Sequence, residues 1–287
     1  MAPTEVSPSA DSAWVAFWRK GGFWRALLLV IGYLALYTAG SYGIDALWGD
    51  SIDADNPLST ASSIYVGVVA PIGVGIVVLL IFGLSTGLLR GVFGPQPIRG
   101  SKWMWVMPIL VVVISLSRFI SADYGAYKTD VIVAILVVGV FVGFAEELLA
   151  RGYVINLLRF GGTKELWVAV LSSVLFACMH LVNLVSGQEF STVGVLLLYT
   201  FAFGVAMYFS LRVTGRLIWV MVLHGITDPA AILFSGGIDS SATDSSNTGG
   251  LTTVALLGTV LLIALGWILV WFVRGRVTDV AVSSIHD

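Results

Sequence analysis

The chain has 287 residues, 57% of them apolar and only 11% charged, with 15 Lys and Arg against 17 Asp and Glu. Soluble domains carry about 25% charged residues, so a chain with a mean hydropathy of +0.95 has too little polar surface to cover itself in water, and a soluble globular fold is excluded. The net charge of -2 supplies no basic patch for a nucleic acid, so no nucleic-acid partner is expected. The single cysteine, Cys178, can form no internal disulfide; within its apolar run it reads as a small buried hydrophobe.

The N-terminal stretch MAPTEVSPSADSAW is polar and reads as unstructured. Arg19, Lys20 and Arg25 precede an apolar run over 26–44 that exceeds the core of a signal peptide, so it is expected to remain as a first helix. Further runs long enough to cross a bilayer follow over 64–89, 103–120, 131–158, 166–185, 193–213, 217–234 and 251–273, separated by short Gly, Pro, Ser or charged stretches. Eight spans are predicted. Basic residues alternate between their ends, as cytoplasmic loops should collect Lys and Arg. Arg90, Arg99 and Lys102 follow the second run, Arg159 and Lys164 the fourth, Arg212 and Arg216 the sixth, and Arg274 and Arg276 the eighth. The opposite loops carry Asp45, Asp50, Asp53, Asp55, Arg118, Asp123, Lys128, Asp130, Glu189, Asp239 and Asp244. Both termini are therefore expected in the cytoplasm. The expected fold is an all-α polytopic membrane bundle, with residues 1–287 as a single integral membrane domain. The stretch 235–250 reads as a flexible external loop, and the tail after Arg276 is too short to fold.

Ionisable groups inside spans are costly, about +2.5 to +3.5 kcal/mol at the centre on the mildest scale. Those present are Glu146, Glu147 and Arg151 on the fourth run, His180 on the fifth, and His224 and Asp228 on the seventh. At a rise of about 1.5 Å per residue from the proposed cytoplasmic ends, Glu146 lies about 18 Å deep, His180 about 21 Å, His224 about 11 Å and Asp228 about 17 Å. Three helices can thus bring carboxylates and imidazoles to one level. Glu147 and Arg151, four residues apart, share a face and can pair; Glu146, turned by about 100°, points elsewhere. Phe176 and His180 share a face, as do His180 and Asn183, and His224 and Asp228 are again four apart. Any one such pair would read as glue between helices; three at one depth point to a site. Gly139 and Gly143 form a close-packing spacing, and the same face continues to Glu146 and Glu147.

The strings EELLAR (Glu146 to Arg151), FACMH (Phe176 to His180) and HGITD (His224 to Asp228) resemble, in order, the E-E-x-x-x-R, F-x-x-x-H and H-x-x-x-N/D motifs of the CPBP intramembrane protease family, also called Abi or CAAX-protease-like. The resemblance covers a core over 131–234. It implies an intramembrane endopeptidase acting on peptide or protein substrates at the membrane, whose eukaryotic relatives trim prenylated C-a-a-X proteins, and an integral multi-pass protein of a bacterial plasma membrane. By matched position, Glu146 would activate water, His180 would help to hold it, Glu147 and Arg151 would brace the site, and His224 and Asp228 would stabilise the oxyanion. Asn can donate to an oxyanion, whereas Asp does so only when protonated; Asp228 could instead orient His224 or bind a metal. Glu146, His180 and His224 would also serve as a Zn2+ set with an open fourth position, and a metal-free glutamate mechanism uses the same residues.

Three rival readings stand beside this one. GLSTG over 83–87 has the G-x-S-x-G form, but a nucleophile elbow needs a strand before it and a helix after it; at the end of a span it reads as small-residue packing. Intramembrane carboxylates and histidines also occur in proton-coupled transporters, and a non-proteolytic immunity or scaffold role is the other alternative.

Overall fold

The computed structural model describes residues 12–185, 187–237 and 249–277. The expectations for residues 1–11, for most of the 235–250 loop and for the tail with His286 lie outside them. Among the described residues the chain is helical without strands. Eight helices are long and apolar enough to cross a membrane: Phe23–Ser51, Ala61–Thr86, Lys102–Ser121, Thr129–Phe160, Glu165–Val185, Phe190–Thr214, Leu217–Ser235 and Gly250–Phe272, referred to below as the first to eighth spans. They match the eight predicted runs within a few residues, and the chain is an all-α, multi-pass integral membrane protein. The fourth, sixth and seventh spans bury 50%, 56% and 61% of their most apolar windows, against 22% and 28% for the first and second, so the former make the centre of the bundle. Outward apolar side chains such as Trp24, Leu28 and Ile31 on the first span remain exposed, as suits a lipid-facing rim.

Between lipid-immersed helices, association rests on close packing rather than on a hydrophobic drive, so small residues decide where backbones meet. The most extensive pairing joins the fourth and seventh spans. At Gly139 an added Cβ would stand 2.2 Å from the Gly225 carbonyl oxygen and 2.3 Å from Pro229 Cγ; at Gly143 it would stand 2.5 Å from the Met221 carbonyl oxygen and 2.7 Å from Gly225 N. The Gly139 and Gly143 face anticipated from sequence is therefore where backbone meets backbone. Pro229 sits inside the seventh helix. It has no N–H to bond the Gly225 carbonyl, and the glycine face lies against that carbonyl.

Two spans depart from regular α geometry. Tyr65–Val69 is a π turn just before Pro71, where the missing proline N–H and its ring interrupt the regular ladder. Leu148–Val154 is a second π turn, closed by the Ile155 N–H donating to Ala150 O, and it carries Arg151. The fifth span is not continuous either. Its main helix, Glu165–Met179, ends with His180 as C-cap, and Val182–Val185 forms a separate short turn. His180 thus lies at a helix end inside the bundle, not within an unbroken helix as the sequence led us to expect.

Several charges assigned to loops or ends are buried. Arg118, placed in an external loop by the sequence reading, belongs to the third span and is 1% exposed. Arg159 and Arg212, expected as flanking cytoplasmic charges, converge on Glu165: Arg159 Nε and Nη2 donate to its two carboxylate oxygens at 2.8 and 2.9 Å, Arg212 Nη1 donates at 3.2 Å, and Arg159 Nη1 also reaches Gln96 Oε1 at 2.7 Å. Cys178 is exposed rather than buried, because its face of the fifth span looks outward. A short helix, Ala13–Arg19, begins within the last residues of the stretch read as unstructured, and its N-cap Ser12 Oγ accepts from Val15 N. Trp14 and Trp18 there stack edge-on with Phe82. GLSTG behaves as packing: a Cβ on Gly83 would overlap the Tyr153 hydroxyl, and Ser85 is an exposed residue holding the Trp14 indole N–H at 3.1 Å. In the loop after the first span, Asp53 accepts from the Ser59 hydroxyl and from the Asn56 and Asp55 amides, and these bonds, the Ser59 one foremost, hold its carboxyl below the usual range.

Replacing Gly143 with leucine must separate the fourth and seventh spans. We expect a loss of about 3 kcal/mol or more in unfolding free energy in detergent micelles, whereas Gly32→Ala, whose Cβ meets nothing within 4 Å, leaves stability within about 0.5 kcal/mol. Equal melting temperatures for the two variants would sink the packing argument.

Candidate active site

The glycine contact sets the fourth and seventh spans side by side just where each carries its acidic and imidazole groups. His224 is at the centre. Its Nδ1 lies 2.7 Å from Glu147 Oε1, and its Nε2 faces Asp228 Oδ1 at 3.6 Å and Glu146 Oε2 at 3.9 Å. The same Glu147 oxygen accepts from Arg151 Nη1 at 3.0 Å, so the predicted pair on the helix face forms despite the π turn between its partners. Arg151 Nη2 donates to the Gly204 carbonyl of the sixth span at 3.0 Å. A carboxylate that takes both a guanidinium and an imidazole N–H fixes the ring's orientation and tautomer, leaving Nε2 as the atom turned toward Glu146 and Asp228.

Burial divides these groups into two tiers. The side chains of Glu147 and His224 are 0% and 3% exposed, while those of Glu146 and Asp228 are 23% and 30% exposed. Glu146, Asp228, His180 and His224 line one cavity of about 310 Å³; Glu147 and Arg151 stand behind its wall. His180 reaches this cavity from its helix end, with Nδ1 3.3 Å from the Phe176 carbonyl oxygen. Phe176 ties the pieces together: its ring meets His180 and His224 edge-on at 5.4 and 6.0 Å between centroids, and the Arg151 guanidinium stacks over it at 4.3 Å. Contacts of this kind are worth about 0.5–2 kcal/mol each when shielded from water.

All six residues singled out from the sequence therefore gather at one place, five in direct polar contact and His180 through Phe176 and the shared cavity. What sequence reasoning missed is the backing. Phe176 entered as a motif letter and as the residue sharing a face with His180, without its contacts to His224 and Arg151, and Phe203, whose ring lies 4.8 Å from that of His224, had no signal beyond its place in an apolar run. Gly204 lies opposite Ser173, where a Cβ would stand 2.9 Å from the serine Cβ, and this close approach presents its carbonyl to Arg151. Arg118 also lines the cavity; it was assigned to a loop because it falls near the end of its run. Among the described residues no three His, Cys, Asp or Glu side chains are arranged to hold a metal. Glu146, His180 and His224 share the cavity wall without converging on one point.

Residues 128–230 match the family model described as Rce1-like, type II CAAX prenyl endopeptidase. The match spans the fourth to seventh spans, all six site residues included, and agrees with the CPBP or CAAX-protease-like family that the three motifs resemble. No curated protein matches the chain in sequence.

Breaking a buried ion pair on one side strands the other charge, at a cost of roughly 3–5 kcal/mol. Arg151→Met should therefore destabilise the protein in micelles by about that amount, and adding Glu147→Gln should recover part of the loss. A double-mutant cycle in which the two losses simply add would show that the pair is not coupled.

Proposed function

We propose that the chain is an intramembrane endopeptidase that hydrolyses peptide bonds of membrane-associated or lipidated substrates with a glutamate-activated water. One observation carries this reading: His224, anchored through Nδ1 by a fully buried carboxylate, turns Nε2 into a cavity between two partly exposed carboxylates, Glu146 and Asp228. Here Glu147 and Arg151 pair behind the wall, while Glu146 and Asp228 line the space itself.

In this mechanism Glu146 removes a proton from a water as its oxygen attacks the scissile carbonyl, and later returns that proton to the leaving amide nitrogen. His180, at the opposite wall, helps to hold the water. The oxyanion forms beside His224 Nε2 and Asp228. Because Nδ1–H is already donated to Glu147, Nε2 donates to the oxyanion when the ring carries both protons, and that charge is balanced by the carboxylates around it. Glu147 and Arg151 are positioning residues: they touch no substrate and keep the imidazole from rotating. The basic span ends face the cytoplasm in this reading, with both termini on that side. Zn2+ would supply Lewis-acid activation of the water if Glu146, His180 and His224 closed around it.

Glu146→Gln should abolish cleavage of a membrane-anchored fluorogenic peptide by purified protein, a loss of about 10² to 10⁴ in kcat, with the melting temperature unchanged because Glu146 lies in the exposed tier. Cleavage that persists in this variant counts against the proteolytic reading. Asp228→Asn should keep activity within about tenfold, since an amide can donate where the acid does, whereas Asp228→Ala should lose about 10²-fold or more. An Asn variant as dead as the Ala variant would remove Asp228 from the oxyanion role.

A further inference from the structure

The first span lies outside the residues that match the family model, yet it supplies part of the active-site wall: Tyr33, Leu34 and Tyr37 line the same cavity as Glu146, His180 and His224. Tyr33 stands out among them. It is only 5% exposed, and its hydroxyl makes no hydrogen bond to another described residue. Other deeply buried tyrosines do: Tyr153 donates to the Leu79 carbonyl at 3.0 Å, and Tyr208 to the Glu165 carboxylate. A buried phenol ordinarily finds a partner, because an O–H taken from water without one is costly. A phenylalanine would fill the place of the ring equally well. What tyrosine adds is an oxygen at the wall that also carries Glu146.

The position of that oxygen is built by its neighbours. A Cβ on Gly75 of the second span would stand 2.7 Å from Tyr33 Oη, so any larger residue there would push the phenol aside. On its own helix the ring stacks with Tyr37, the centroids 6.1 Å apart and the planes at 24°. The hydroxyl thus held interacts electrostatically with the Glu146 carboxylate without a direct hydrogen bond to it. Two polar groups that face one space but do not bond each other are bridged by water where the space has room, and this cavity of about 310 Å³ has it. A water that attacks a carbonyl has two protons to place. One goes to the base, and the other must be donated elsewhere for the lone pair to point at the carbon.

We propose that Tyr33 is a catalytic residue, the second partner of the water that Glu146 activates. The water donates one O–H to Glu146, which takes that proton as the oxygen–carbon bond forms. It donates the other O–H to the Tyr33 hydroxyl oxygen, and Tyr33 begins and ends the step with its own proton in place. With His180 on the fifth span, the water is held from three helices. The proposal rests on the endopeptidase reading for the reaction and on the unpartnered buried hydroxyl for the assignment. The first span is then part of the catalytic machinery and not only of the lipid-facing rim.

The test compares the full-length wild type, Tyr33→Phe and Tyr42→Phe in nanodiscs. Tyr33→Phe keeps the ring and its stacking and removes one oxygen. We expect its kcat on a membrane-anchored fluorogenic peptide to fall about tenfold, with KM within about twofold of the wild type. Tyr42→Phe, on the same span but 65% exposed, should cleave as the wild type does. A Tyr33→Phe kcat equal to that of the wild type overturns the proposal, and so does a loss that falls on KM alone. A second measurement needs no turnover. The infrared carboxylate band that disappears in Glu146→Gln belongs to Glu146, and Tyr33→Phe should shift it, because the water on that carboxylate has lost its other partner. A band at the same frequency with and without the hydroxyl overturns the proposal, whatever the variant's activity or melting temperature. If the wild type cleaves no peptide and the band still shifts, the endopeptidase reading fails alone and the pairing of Tyr33 with Glu146 through water stands.

Discussion

The contact of Gly139 and Gly143 with Gly225 is the constraint on which the site depends. It is a backbone contact, with no side chain to yield, and it fixes the separation of the fourth and seventh spans at its minimum. Glu147 lies one turn past Gly143, and His224 is adjacent to Gly225. The 2.7 Å contact between Glu147 and His224 is therefore a consequence of how closely the glycines let the helices approach. A wider separation would leave a carboxylate and a guanidinium buried without the imidazole that they orient, and the cost of stranded charge would fall on the fold as well as on the chemistry.

Given that separation, the polar groups form two kinds of cluster. At the basic end of the bundle, Glu165 is saturated by Arg159, Arg212 and the Tyr208 hydroxyl, and Gln96 takes the remaining Arg159 donor. That cluster ties the fourth, fifth and sixth spans together, with one buried carboxylate shared by two guanidinium groups. The second cluster is built on the same principle only in its rear tier, Arg151 with Glu147. Its front tier, Glu146 and Asp228, borders a cavity that Arg118 also lines, and among the described residues no carboxylate pairs with Arg118.

The spans and the six site residues were legible in the sequence because their signals are local. Apolar runs of spanning length, charges interrupting them, and four-residue spacing all survive whatever the neighbouring helices do. What escaped depended on tertiary partners. Arg118 lies three residues from the end of its span, where sequence alone favours a snorkelling side chain; only the third, seventh and eighth spans together show that it turns inward to Thr259. Arg159 and Arg212 lie at span ends as expected and are nonetheless buried, because Glu165 at the start of the fifth span reaches both. Cys178 went the other way, since in a lipid-facing protein an apolar run no longer implies burial. The break at His180 has no proline or glycine to announce it.

That break has a consequence for chemistry. In a continuous helix His180 would have its side chain fixed by the turns on both sides; as a C-cap it is followed by the separate short turn Val182–Val185, whose Val182 and Asn183 also line the cavity. The fifth span thus presents both a side chain and the turn after it to the space shared by Glu146 and Asp228. Water activation within a bilayer needs polar groups converging from more than one helix, and it needs them held without consuming their donors and acceptors. Phe176 supplies the holding through ring contacts with His180, His224 and Arg151, and these ring contacts use none of the imidazole or guanidinium N–H groups. An aromatic at that position lets the rear tier be rigid and the front tier remain open to substrate.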